Sequence, residues 1–281
     1  MFRLLGIEIH KLRNSRASKI LIGTYFVLLT SIALIAAIRF DIGPVHFHLA
    51  EQGIFNFPFI WHFNTFIASI FKFFLLLVIV SMMANEYSNR TLKQNLIDGL
   101  SKKEFVLSKF YTVVLFAAIS TLFVFVVSLI LGLAYSDFDE PSIIFSDMGY
   151  LLAFFIKLTG FFSFGLFMGV LVKRSAFAVG GLLVWLILEG FLKGFLFWNF
   201  KDYEHPAAEV NRIMRFLPLE SMSNLIKEPF TRLNAVQTVA KEVGENITKD
   251  FSVQPLDVLI VLAWTFLFIY FSYKILQKRD L

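Results

Sequence analysis

The side chains with most chemistry to offer are charges set inside long apolar runs. Lys72 stands near the middle of one such run. Lys157 lies about two helical turns into another. Glu189 and Lys193 are one turn apart in a third. An unpaired charge at that depth in a bilayer costs about 2.5–3.5 kcal/mol on insertion scales, so each needs a partner. Glu189 can pair with Lys193 on its own helix or with Lys157 on a neighbouring one. Two roles follow: a polar lining that meets a charged headgroup or peptide, or a buried ion pair. For Glu189 and Lys157 the ion pair is the expectation; for Lys72 both roles stay open.

Other chemistries are poorly supplied. His46, His48 and His62 precede or begin the second apolar run, but no carboxylate stands at ligand spacing, so no metal site is expected. The chain has no cysteine, which removes thiol catalysis, disulfides and cysteine-ligated metals. No Ser/His/Asp grouping shares a depth, and no Gly-x-x-x-x-Gly-Lys-Ser/Thr loop is present to cradle a nucleotide. The sequence predicts no enzyme and no cofactor of its own.

The richest connection is 84–106. Thr91 is expected to cap a short helix that places Leu92, Leu96 and Ile97 on one face, with Gly99 as its stop signal. Ser101 and Glu104 form a capping-box pattern for a second helix running on into an apolar run. A short amphipathic helix held between two long ones is placed to receive force from a soluble partner; an ordinary surface helix is the equal alternative.

These residues must be positioned by helices in lipid. Of 281 residues, 57% are hydrophobic, 17% charged and 36 are Phe, too apolar for water to cover. Six runs reach the roughly 20 residues a crossing needs: 20–38, 60–83, 107–135, 148–172, 176–198 and 256–276. Lysine and arginine fall at alternate connections: Arg3 to Lys19 before the first run, Arg90 to Lys109 between the second and third, Lys173 and Arg174 in the hairpin turn, and Lys274 to Arg279 at the end. The positive-inside rule then puts both termini in the cytoplasm. The net charge of +5 therefore reports topology, and no nucleic-acid partner is expected.

Phe2, Leu5, Ile9 and Leu12 recur at helical spacing among Arg3, Lys11 and Arg13, so 1–19 reads as an amphipathic helix in the inner headgroup layer. The segment 199–255 reads as a modest helical cap on the outer side, with helices expected around Val210–Leu217, Leu219–Lys227 and Ala235–Val243, its first part dipping toward the membrane. Gly165/Gly169 and Gly190/Gly194 are small-xxx-small pairs that let helices approach, expected within one chain rather than between copies. The fold class is thus an all-α polytopic membrane protein: one domain of six transmembrane helices with an N-terminal amphipathic helix, a cytoplasmic helix between spans two and three, and a helical outer segment before span six.

The run Glu8, Lys11, Arg13 before the first span resembles the elbow helix of permease subunits of type-2 ATP-binding-cassette exporters. Glu86, Tyr87, Thr91 and Leu92, followed by Leu100 to Phe105 and Lys109-Phe110, are similar to that family's coupling region. The family often has Gly before the Thr and Pro in the turn before the Ser; here Arg90 and Gly99-Leu100 stand instead. The resemblance implies that Glu86, Arg90, Thr91, Leu92, Leu96, Ser101, Lys102 and Lys103, with Lys173 and Arg174, meet a separate cytoplasmic ATPase holding ATP and Mg. It implies a second permease copy or a related chain, a bacterial inner-membrane location, and export of an amphipathic, lipid-like or peptide cargo by alternating access. The rivals are a secondary transporter or channel, which requires broken helices at mid-membrane that the sequence does not show, an intramembrane enzyme, and a membrane anchor for a larger surface machine.

Overall fold

Backbone N–H and C=O groups in an apolar setting must be satisfied within their own segment, and long apolar runs therefore become helices. The computed structural model describes residues 2–35, 39–42, 45–48, 53–233, 236–237 and 249–279. Its helices are α1 Phe2–Asn14, α2 Arg16–Ile35, α3 Phe59–Ile70, α4 Lys72–Ser88, α5 Thr91–Ile97, α6 Lys102–Tyr135, α7 Pro141–Ile144, α8 Gly149–Val172, α9 Ser175–Asn199, α10 Pro206–Met214, α11 Pro218–Asn224 and α12 Pro255–Lys278. The all-α expectation needs one amendment: Arg39–Ile42 and Val45–His48 form a short antiparallel ribbon.

Among the described residues, α6, the run Pro141–Val172, α9 and α12 are each long and apolar enough to cross a membrane. A fifth crossing results if α3 and α4 count as one bent span. Six were expected. The first expected run is helical over α2, but 36–38 lie outside the described residues.

The second expected run, 60–83, is not one straight helix. It breaks at Phe71 with a bend of 45°. Thr65 and Ser69 both turn their hydroxyls onto carbonyls of the preceding turn, a pattern that bends helices. Lys72 is the first residue beyond the break.

α8 is the hub, packed against α3, α4, α6, α9, α11 and α12 and buried on nearly every side. Its glycines explain part of this. A Cβ on Gly165 would overlap the Leu76 side chain, and one on Gly169 would sit 3.0 Å from Met83 Cβ, so this pair brings α8 onto α4 within the chain. Gly190 and Gly194 behave differently: nothing lies within 4 Å of either position, and they sit on an uncovered face of α9. The expectation of an internal contact holds for the first pair only.

The segment 199–255 is more than an outer cap. Met222 of α11 is buried beside Gly160, midway along α8, and Val261 of α12 lines the same spot. α11 is therefore wedged into the bundle between α8, α9 and α12. Of the expected α10 face, Val210 and Met214 are buried but Ile213 is exposed. The helix expected over Ala235–Val243 falls mostly outside the described residues.

Replacing Gly165 with Val should lower the thermal midpoint of the solubilised protein, by about 1–3 kcal/mol of overpacking. Gly194→Ala should leave it unchanged or raise it slightly. An unchanged midpoint for Gly165→Val would contradict the close α4–α8 contact.

Candidate functional site

At the end of the bundle where lysine and arginine collect, one ammonium is shared by two carboxylates. Lys109, fully buried in the second turn of α6, places Nζ 2.6 Å from Glu8 Oε2 of α1 and 2.6 Å from Glu86 Oε1 of α4. Lys11 Nζ adds a contact of 2.7 Å to the same Glu86 oxygen from the half-exposed rim. The other oxygen, Glu86 Oε2, accepts from Thr91 Oγ1 at 2.6 Å and Asn95 Nδ2 at 3.3 Å, both on α5. Ser108 Oγ reaches Glu8 Oε1 at 3.4 Å. A buried ion pair survives only when its remaining lone pairs and protons are also satisfied, and Thr91 and Asn95 do this for the second oxygen of Glu86.

Local sequence delivers each member. Leu4, Glu8 and Leu12 recur every four residues and form the buried face of α1. The expected stripe was rotated from this: Leu5 is half-buried and Ile9 exposed, because the ion cluster draws Glu8 inward. Arg13 is exposed and has no partner among the described residues.

Thr91 is not the cap of α5. Arg90 holds the cap position in a left-handed conformation, φ 54°, where glycine sits without strain. Thr91 is the first helical residue and spends its hydroxyl on Glu86. Leu92 is buried and Leu96 half-buried as expected, but Ile97 is three-quarters exposed, at 75%. Gly99 ends the helix with φ 96°. Ser101 and Glu104 form the expected capping box at the start of α6.

A second knot lies nearby. Arg279 donates to the carbonyls of Val170 (2.6 Å) and Leu171 (2.9 Å) at the end of α8 and to the Tyr87 hydroxyl (3.0 Å). Lys102 donates to the carbonyls of Arg279 (2.9 Å) and Gln277 (3.3 Å). Lys173 stands 5.7 Å from the Tyr87 ring centre. Lys103 and Arg174 point to solvent. The hairpin turn and the α4–α6 connection thus meet through Tyr87.

The expected Glu189–Lys157 ion pair does not form, nor does Glu189–Lys193. Glu189 accepts from Trp185 Nε1 at 2.6 Å and from the backbone N–H groups of Leu219 (3.1 Å) and Glu220 (2.9 Å). It therefore serves as an anchor for the first turn of α11. Lys193 turns instead to Glu220 at 2.7 Å. Lys157 is buried with one long bond, 3.5 Å, to the Ile226 carbonyl.

At the far end, His62 stacks on Tyr150 with ring centres 4.4 Å apart. Its Nδ1 faces Arg232 at 3.2 Å and its Nε2 the Lys227 carbonyl at 2.8 Å. An arginine only donates, so Nδ1 accepts and Nε2–H donates; both nitrogens are engaged and His62 is no metal ligand. His46 and His48 side chains lie outside what is described. Burial pushes the Glu228 carboxyl up, but bonds from Lys249 and Thr231 outweigh it and hold the group below its usual range. Among the described residues no cluster of His, Asp and Glu has metal-binding geometry.

Residues 33–281 match the model of a family described as Protein of unknown function (DUF2705). The chain belongs to this family. No curated protein matches it. The DUF2705 match includes Glu86, Thr91 and Lys109 and begins after Glu8 and Lys11, so α1 supplies its carboxylate to the cluster from outside the matched stretch.

The sequence offers Lys109 as one positive charge of a basic connection and as part of the coupling-region resemblance, not as the buried partner of two carboxylates. The signal for more was there: it falls inside the third apolar run, where a charge demands a partner.

Lys109→Met should cost about 3–5 kcal/mol of stability, because it strands two buried carboxylates. The triple variant Glu8→Gln, Glu86→Gln, Lys109→Met should recover most of that. Thermal unfolding in micelles reads both. Equal losses in the single and triple variants would show that packing, not charge, dominates.

Proposed function

We propose that this chain is the membrane-spanning permease subunit of an ATP-driven exporter of the type-2 ATP-binding-cassette kind. One observation carries the reading: the short helix α5 is bolted to α1, α4 and α6 through Glu86, while its opposite face stays open. That face presents Lys93, Gln94 and Asp98 around the exposed Ile97. An apolar side chain ringed by charge is suited to seat in a partner's pocket. Arg90, Lys103, Lys173 and Arg174 are exposed in the same region.

In this reading α2, the bent α3–α4 pair, α6, α8, α9 and α12 make six crossings of a bacterial inner membrane. The basic end is cytoplasmic by the positive-inside rule. The partner ATPase binds ATP and Mg; this chain hydrolyses nothing. Closure of two ATPases pushes on α5. The charge cluster passes that push to α1, α4 and α6 together, since none of the three can move without separating buried charges. A second copy or related chain completes a pathway for an amphipathic cargo.

A secondary transporter is the second reading, favoured by the break at Phe71 beside Lys72, since such proteins use interrupted helices near mid-membrane. Pull-down of the tagged chain from native membranes separates the two. The exporter reading expects a co-purifying nucleotide-binding subunit, weakened by Ile97→Asp or Lys103→Glu with membrane insertion intact. No such subunit, or normal coupled ATPase activity in both variants, counts against it.

A further inference from the structure

A cavity of about 900 Å³ lies at the far end of the bundle, walled by residues of α9, α10, α11 and α12 and by Phe66 of α3. Lys227 and Glu228 line one side of it. From there the stretch 227–232 runs across α3. It meets Phe59, His62, Phe63 and Phe66, four residues whose spacing puts them on one face of that helix.

Upstream the chain is fixed. Leu225 and Ile226 are each only 1% exposed, and Glu189 anchors the first turn of α11. Within 227–232 only Pro229 is buried. Phe230 lies edge-on to Phe63 and Phe66 yet stays 43% exposed. Lys227 donates to the Asp250 carbonyl at 2.6 Å, and Glu228 pairs with Lys249 at 2.7 Å. Both ties are within reach of water, where such contacts are worth little.

One side chain is held differently. The Arg232 guanidinium stands 4.8 Å from the centre of the Phe59 ring and 5.5 Å from that of Phe251. It also donates to His62 Nδ1 at 3.2 Å. His62 is itself stacked on Tyr150 and donates through Nε2 to the Lys227 carbonyl. Rings from α3, from α8 and from the lead into α12 thus surround one cation. Cation–π contacts strengthen as water is excluded, so the hold on this stretch is concentrated at its last residue. A segment with little buried apolar surface and one strong tie opens locally, without unfolding its neighbours.

We propose that 227–232 is a releasable strap on the far cavity, with Arg232 in its aromatic box as the catch. Freeing Arg232 lifts Phe230 off Phe66, which lines the cavity, and widens the cavity while α3 and α11 stay in place. The device goes beyond both transport readings: it needs no ATPase and no cargo.

The chain contains no cysteine, so Phe66→Cys gives the solubilised protein a single thiol beneath the strap. Its rate of labelling by a charged, water-soluble maleimide reads the opening. Arg232→Ala should raise that rate about tenfold, the equivalent of one desolvated cation–π contact. Arg232→Lys, which keeps the cation, should raise it less. Millimolar ethylguanidinium should slow labelling again in Arg232→Ala by refilling the box, and should not do so once Phe251→Leu is added. Hydrogen exchange on the cysteine-free chain keeps the test open if Phe66→Cys does not fold. In Arg232→Ala the amides of 227–232 should lose protection while those of Phe59–Ile70 and Pro218–Asn224 keep theirs. Unchanged labelling with unchanged protection of 227–232 would overturn the proposal. So would a loss of protection shared equally by α3 and α11, which would make Arg232 a general structural tie. Ethylguanidinium without effect on Arg232→Ala would remove the box as the catch.

Discussion

A buried ammonium held between two buried carboxylates sets the geometry of the basic end. Taking three charges out of water is expensive, and mutual attraction repays it only while all three stay in contact with their hydrogen bonds complete. Lys109 meets both carboxylates at 2.6 Å, and Glu86 fills its second oxygen from Thr91 and Asn95. The cluster is therefore a registry device. It ties α1 to α6 through Glu8 and Lys109, and α5 to the end of α4 through Glu86, which the same lysine holds. Apolar packing alone permits sliding; a shared charge does not. The half-exposed Lys11 adds a contact at the rim, where water screens it and its worth is small.

From that fixed end the remainder of the bundle follows. α8 runs through the centre with glycine against α4 and is tied at its end to Arg279, which also meets Tyr87 just past Glu86. Two polar knots thus stand on neighbouring residues of α4, one gathering α1, α5 and α6, the other α8 and α12. The far half is organised by different means. Glu189 anchors α11 by accepting its backbone N–H groups, Asp257 pairs with Arg215, and His62 is held between Arg232 and the Lys227 carbonyl. Between these halves lies the break at Phe71, with Lys72 just beyond it over the Phe161 ring.

Much of the helical layout was legible in the sequence because it depends on run length. The ends of the runs 148–172, 176–198 and 256–276 fall within two residues of α8, α9 and α12. The Ser101–Glu104 capping box and the Gly99 stop were legible because they are local chemistry. The partners of the intramembrane charges were not. Glu189 was assigned to a lysine because sequence offers only side chains as candidates, whereas its partners are a Trp and two backbone N–H groups from a segment thirty residues on. The two glycine pairs look alike in sequence and differ entirely in setting, since spacing reports a face but not what covers it. The bend at Phe71 has no Pro or Gly to announce it. The Glu8–Lys109–Glu86 cluster joins residues about a hundred and about twenty apart; composition marks each as charged and cannot bring them together.

The central claim is that Lys109 binds α5 to the helices around it as one mechanical unit. Hydrogen exchange read by mass spectrometry, on wild type and on Lys109→Met in the same lipid nanodiscs, tests this directly. The account predicts that amides of Thr91–Ile97 and of Phe2–Asn14 lose protection together in the variant, while those of α9 keep theirs. Unchanged protection across α5, or loss in α1 alone, would contradict it.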